Sequence, residues 1–137
     1  MNGETLHNVA LRCAENLPAT TLDSFEPGWE SARVEGKWFM LVTEVPQGSR
    51  KQELAGKPVI IVKADPDDAA TLREAHADIT EGYHMDKRHW ITLAPGDSID
   101  EQLVEELVTE SYRLVVEKNL PQAEQPVDPH TFGQKKQ

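Results

Sequence analysis

Ala32-Arg33-Val34-Glu35-Gly36-Lys37-Trp38-Phe39-Met40-Leu41-Val42-Thr43 decides the fold. Two runs rich in β-branched and aromatic residues flank Glu35-Gly36, and glycine supplies the positive φ of a tight turn. The segment therefore predicts an antiparallel hairpin. After the polar loop Pro46 to Gln52, Pro58-Val59-Ile60-Ile61-Val62-Lys63 predicts a third, buried strand. Short loops between the strands favour antiparallel pairing.

Helices lie on either side of these strands. Leu6, Val9, Ala10, Cys13 and Leu17 recur at three- and four-residue intervals, and Pro18 ends that helix. Asp65-Pro66-Asp67-Asp68 starts a second helix, with Asp65 as cap and Pro66 at the first helical position. Trp90 to Leu93 predicts a further strand. Ser98-Ile99-Asp100-Glu101 fits a capping box at the start of the last helix, whose apolar stripe is Leu103, Val104, Leu107, Val108, Ser111, Tyr112 and Val115. Glu101, Glu105, Glu106 and Glu110 form its wet face. The order α-β(3)-α-β(1-2)-α predicts an α+β fold: a two-layer sandwich, antiparallel sheet with helices on one face. Residues 1–119 are expected to form one domain. Pro121, Pro126 and Pro129 interrupt a polar stretch, so 120–137 reads as a flexible tail.

Composition narrows the functions. The 137 residues contain 14 Lys+Arg and 24 Asp+Glu, a formal charge of −10. That charge opposes nonspecific wrapping of DNA or anionic lipid. A single cysteine, Cys13, rules out an intramolecular disulfide. No signal peptide or membrane span is legible, so a cytoplasmic location is expected. Glycine-rich dinucleotide and phosphate loops are absent from the sequence, and no cofactor is expected.

Tyr83-His84-Met85-Asp86-Lys87-Arg88-His89-Trp90 stands apart: two histidines, two cations, a carboxylate and two aromatics without amphipathic period. Lys87 and Arg88 suit phosphate, and Tyr83 and Trp90 suit stacking. His84 or His89 with Asp86 suits acid–base chemistry, but no nucleophile motif accompanies them. His84 and His89 lack zinc-ligand spacing, so no metal site is expected. The structural alternative makes Trp90 a core anchor and lets the polar side chains satisfy an irregular backbone. Arg50 and Lys51 in the polar loop are candidate wing contacts, or simply a solvated tip. Trp29 and Trp38 read as core or sheet-face residues rather than a ligand-stacking pair.

Gly82-Tyr83-His84-Met85-Asp86-Lys87-Arg88-His89-Trp90-Ile91-Thr92, Gly96-Asp97-Ser98 and Ser111-Tyr112-Arg113-Leu114-Val115 resemble the signature of the MmcQ/YjbR family of small bacterial proteins. The resemblance covers roughly residues 4–118. It implies a CyaY-like, or secretion-chaperone-like, fold and a double-wing role in DNA binding, without catalytic machinery. The residues carried over are His84, Lys87, His89 and Trp90. Position 86 is usually asparagine in the family, and a carboxylate there would repel phosphate and remove a donor. The leading expectation is a non-enzymatic binding module with a DNA-binding or regulatory role. A protein-interaction module is the alternative, and a small-molecule protein or enzyme using His84 and His89 is the second.

Overall fold

Asn2 starts the first helix: its Oδ1 accepts from the Thr5 amide at 2.8 Å, capping α1 (Gly3–Glu15). The computed structural model describes residues 1–132. β1 (Thr20–Glu26) and β2 (Trp29–Val34) follow, joined by Pro27-Gly28. Proline presets the first turn position and Gly28, at φ +84°, takes the second. β3 (Lys37–Glu44) follows a turn in which Glu35 (φ +48°) joins Gly36 (φ +80°) in the left-handed region. With β4 (Pro58–Lys63), four strands precede α2 (Pro66–Ala75), one more than the sequence pattern predicts. The additional strand is β1. Its side chains are almost all exposed, Leu22 among them, so it lacks the alternation that marks a half-buried strand. β5 (Ile79–Glu81), β6 (Trp90–Leu93) and α3 (Glu101–Asn119) complete the fold.

All six strands pair antiparallel, in the order β1-β2-β3-β4-β6-β5. Register sorts the side chains between two faces. Asp23, Ser31, Leu41, Ile61, Thr92 and Thr80 lie opposite one another in one row across the sheet. Ala32, Met40, Val62 and Ile91 form the next row, on the other face. That second face meets α1 and α3 and makes the main core, which includes Leu6, Phe39, Ile60, Leu93, Val104 and Tyr112. Phe39 is the extra residue of a bulge between Ala32 and Arg33. The bulge turns both Phe39 and Met40 toward the helices, where both are fully buried. The sandwich has two layers, with its helices on one face.

The signature Ser111-Tyr112 holds those layers together. Ser111 Oγ donates to the Phe39 carbonyl at the bulge and accepts from the Lys63 amide at 2.8 Å. Tyr112 packs edge-on against Phe39 and donates its hydroxyl to the Pro18 carbonyl at 2.6 Å. Burial pushes its phenol up to about 12.

Asp65 caps α2 as the sequence predicts, accepting from the Asp67 amide. The cap of α3 differs. Asp100, not Ser98, accepts from the Leu103 amide. Ser98 instead donates its hydroxyl and its amide to the Asp78 carboxylate, at 2.6 and 2.9 Å. A bond between segments 20 residues apart outcompetes the local capping box. Gly96 makes room for it, since a Cβ there would lie 2.1 Å from the Asp78 carboxylate oxygens. Beyond α3, residues 120–132 lie against the helix. Phe132 packs on Tyr112 with ring centroids 5.3 Å apart, and Arg113 donates to the Pro129 carbonyl. The remainder of the expected tail, 133–137, lies outside the described residues.

Candidate functional site

The segment between β5 and β6 folds back over the sheet face opposite the helices. Gly82 begins it, and its amide donates to the Trp90 carbonyl at 2.9 Å. A Cβ at position 82 would stand 2.7 Å from Trp90 Cβ and 2.9 Å from its carbonyl oxygen, so only glycine allows this approach. Thr92, completely buried, secures the next residue: its Oγ1 accepts from the Tyr83 amide at 2.8 Å and donates to the Glu81 carbonyl at 2.9 Å. Asp86 closes the following turn. One carboxylate oxygen accepts from the Arg88 amide at 2.8 Å and the other from His89 Nδ1 at 3.1 Å. Those bonds hold the Asp86 carboxyl below its usual range. The Asp86 carboxylate thus supplies an acceptor to each of two donors. Lys87 Nζ donates to the Gly82 carbonyl and clips the loop shut.

This folding separates the predicted site residues. Tyr83 is buried, with its ring stacked parallel on Trp29 at 6.1 Å. His84 is exposed at φ +60°, its ring 4.1 Å from Tyr83 and 6.0 Å from Trp29. Arg88 is exposed, and its guanidinium makes no hydrogen bond or ion pair among the described residues. His89 and Trp90 are half-buried. No hydrogen bond or ion pair joins Arg50 or Lys51 to residues 82–90; their loop meets that face through Leu54, which is buried beside Tyr83 in the second apolar cluster. Among the described residues no three His, Cys, Asp or Glu side chains gather as a metal site. None of the described helices is long and apolar enough to cross a membrane.

Sequence reasoning missed what lies under the loop. Phe25 sits 6.0 Å from Trp29 and 5.1 Å from Trp38, so Trp38, Phe25, Trp29, Tyr83 and His84 form one row of rings. Arg33 lies over Trp38, 5.6 Å from its centroid. Trp29, Trp38 and Phe25 are only partly buried. Trp29 and Trp38 are sheet-face residues, and Phe25 touches both. The available signal was the i, i+2 placement of Trp29, Ser31 and Arg33, whose partners across the ladder are Thr43, Leu41 and Trp38. Charge is divided as well. Glu101, Glu105 and Glu106 are exposed on α3, as are Asp67 and Asp68 on α2, and register places two acids, Asp23 and Glu26, among the strand residues of the aromatic face.

Proteins of similar fold are known. A model of the YjbR family matches residues 15–114. The chain belongs to the YjbR family. It is 36% identical over 118 residues to the uncharacterized protein YbdF of Escherichia coli O157:H7, covering 85% of this chain and 89% of that one. It is 31% identical over 65 residues to the uncharacterized protein YjbR of Escherichia coli K12, covering 47% of this chain and 55% of that one. Its fold is similar to that of Deinococcus radiodurans protein DR2400, with a TM-score of 0.69, 25% identity, and 82% and 80% of the two chains covered. A Pseudomonas syringae protein of known structure shares the fold at a TM-score of 0.64 and 24% identity, over 83% and 98% of the chains. In this YjbR protein several residues of the signature loop serve its architecture: Gly82, Asp86, Lys87 and Thr92 hold the segment, leaving His84 and Arg88 outward.

Proposed function

We propose that this YjbR family member is a cytoplasmic, non-enzymatic binding module for nucleic acid, taking an unpaired DNA or RNA strand on its aromatic sheet face. The row Trp38–Phe25–Trp29–Tyr83–His84 carries the reading. The half-buried rings of Phe25, Trp29 and Trp38 on the sheet, and the exposed ring of His84 beside them, offer surfaces on which exposed bases stack, worth about 1–3 kcal/mol per base. Arg33 over Trp38 adds positive charge to that row, and Arg88, in the same loop as His84, has a guanidinium without a hydrogen bond or ion pair among the described residues. A duplex, whose bases are already stacked, would have to rely on cations for the backbone. Lys87 is engaged with the Gly82 carbonyl, and among the described residues no hydrogen bond or ion pair joins Arg50 or Lys51 to this loop. An unpaired strand therefore fits better than a double-wing grip on duplex DNA. The charge of −10 weakens long-range attraction, so affinity is expected to be modest and to rest on stacking.

Tryptophan fluorescence during titration with oligo-dT and with a duplex of equal length tests this. Quenching by the single strand at lower concentration than the duplex, weakened at least tenfold by Trp29→Ala or His84→Ala, is expected. Equal or absent binding of both would refute the reading. So would a co-purifying protein partner that competes for the intact aromatic face while oligonucleotides do not bind.

A further inference from the structure

A hollow of about 360 Å³ opens where β4 leaves the sheet and enters α2, under the last turns of α3. Three elements bring nitrogen-bearing side chains to it: Lys63 from the end of β4, His89 from the loop before β6, and Lys118 from α3. Ala64, Pro66 and Leu114 provide apolar wall. Nothing in the linear order foretells this meeting, since the three side chains are separated by more than twenty residues each.

Of the two lysines lining the hollow, Lys63 alone makes no ion pair among the described residues. Lys118 pairs with Glu117 at 3.1 Å. His89 holds Asp86 through Nδ1, which leaves its Nε2 without a hydrogen bond among the described residues. Lys63 Nζ donates only to the neutral amide oxygen of Asn119, at 3.0 Å, and makes no ion pair. Partial burial and the nearby Lys118 ammonium pull the Lys63 pKa down, against a smaller opposing effect of the Asp86 carboxylate. An anion placed between these groups would relieve both effects.

The geometry points to a binding site for a small organic monocarboxylate, its carboxylate between the Lys63 and Lys118 ammonium groups beside His89 and its short apolar body against Ala64, Pro66 and Leu114. Lys63, the lining ammonium without an ion pair, matches one ligand charge. A second would meet Asp65, which lines the same hollow, and Asp86 behind His89, with no further free cation to balance it. Phosphate therefore fits less well than a carboxylate. The site is separate from the aromatic row and stands whether or not nucleic acid binds there.

Two-dimensional amide NMR on the full chain at pH 7, titrated with sodium butyrate, with inorganic phosphate and with sodium chloride, tests the assignment. Butyrate is expected to shift the Ala64, His89 and Leu114 amides along one saturable curve, with phosphate weaker. Lys63→Met should weaken binding at least tenfold, and Trp29→Ala should leave it unchanged. Lys118→Gln, at an exposed position, should weaken it severalfold and decides the matter if Lys63→Met fails to fold. Shifts that never saturate and match those with chloride would overturn the site. So would phosphate binding tenfold tighter than butyrate, or undiminished binding by a folded Lys63→Met or Lys118→Gln chain.

Discussion

Replacing Thr92 by valine removes one oxygen and keeps the side chain's shape, so it isolates the bonds that moor the candidate site. Thr92 is completely buried, and its Oγ1 serves the Tyr83 amide and the Glu81 carbonyl. After the change the Tyr83 N–H is left in a buried position without a partner, at about 1–3 kcal/mol. The Glu81 carbonyl belongs to an exposed residue, and rehydration limits its share to about 0.5 kcal/mol. No cavity term arises, because a methyl replaces the hydroxyl. The expected loss is about 2 kcal/mol, a large part of the roughly 5–15 kcal/mol that holds a small domain together. Urea unfolding should show a lower midpoint with an unchanged slope. Native-state hydrogen exchange should show the Tyr83 amide exchanging faster. Stability within 0.5 kcal/mol of the parent, with full protection of that amide, would refute the claim that this hydroxyl anchors the loop.

Four further outcomes follow from the same structure. Ser111→Ala orphans both the Phe39 carbonyl and the Lys63 amide, so denaturant unfolding should register a loss of about 2–4 kcal/mol. Gly82→Ala forces a Cβ against Trp90 and should cost about 1–3 kcal/mol, read as a lower melting temperature with altered tryptophan emission. Tyr112 titrates at about 12 when folded against 10.0 when free, so its contribution is complete below pH 10 and is lost as pH rises toward 12. The full difference is at most about 2.7 kcal/mol, and Tyr112→Phe should abolish this alkaline slope in stability-versus-pH curves. Burial pushes the Asp78 carboxyl up, but the bonds from Ser98, aided by Lys57 and the amino terminus, outweigh it and leave it below the usual range. Its stabilisation is therefore present above the free value of 3.8 and lost as pH falls through the folded one, and Asp78→Asn should flatten the acid limb of the same curve.

Read alone, the amino-acid order determined the α+β class, the hairpin around Glu35-Gly36, the three helices and the family. Each of these rests on local chemistry: periodicity, caps, turn residues and short motifs. Only the tertiary structure decided the rest. Ser98 lost its predicted role as cap because Asp78, twenty residues earlier, claimed its hydroxyl. β1 escaped notice because an exposed edge strand buries too little to leave a pattern. The signature loop was visible as an unusual run of residues, but which of them are staples depended on the oxygens of Gly82 and Thr92 beneath it. The ring row and the Lys63–His89–Lys118 hollow are assembled from strands, loops and a helix distant in the chain, and such meetings are set by sheet register and layer packing, which no local pattern encodes.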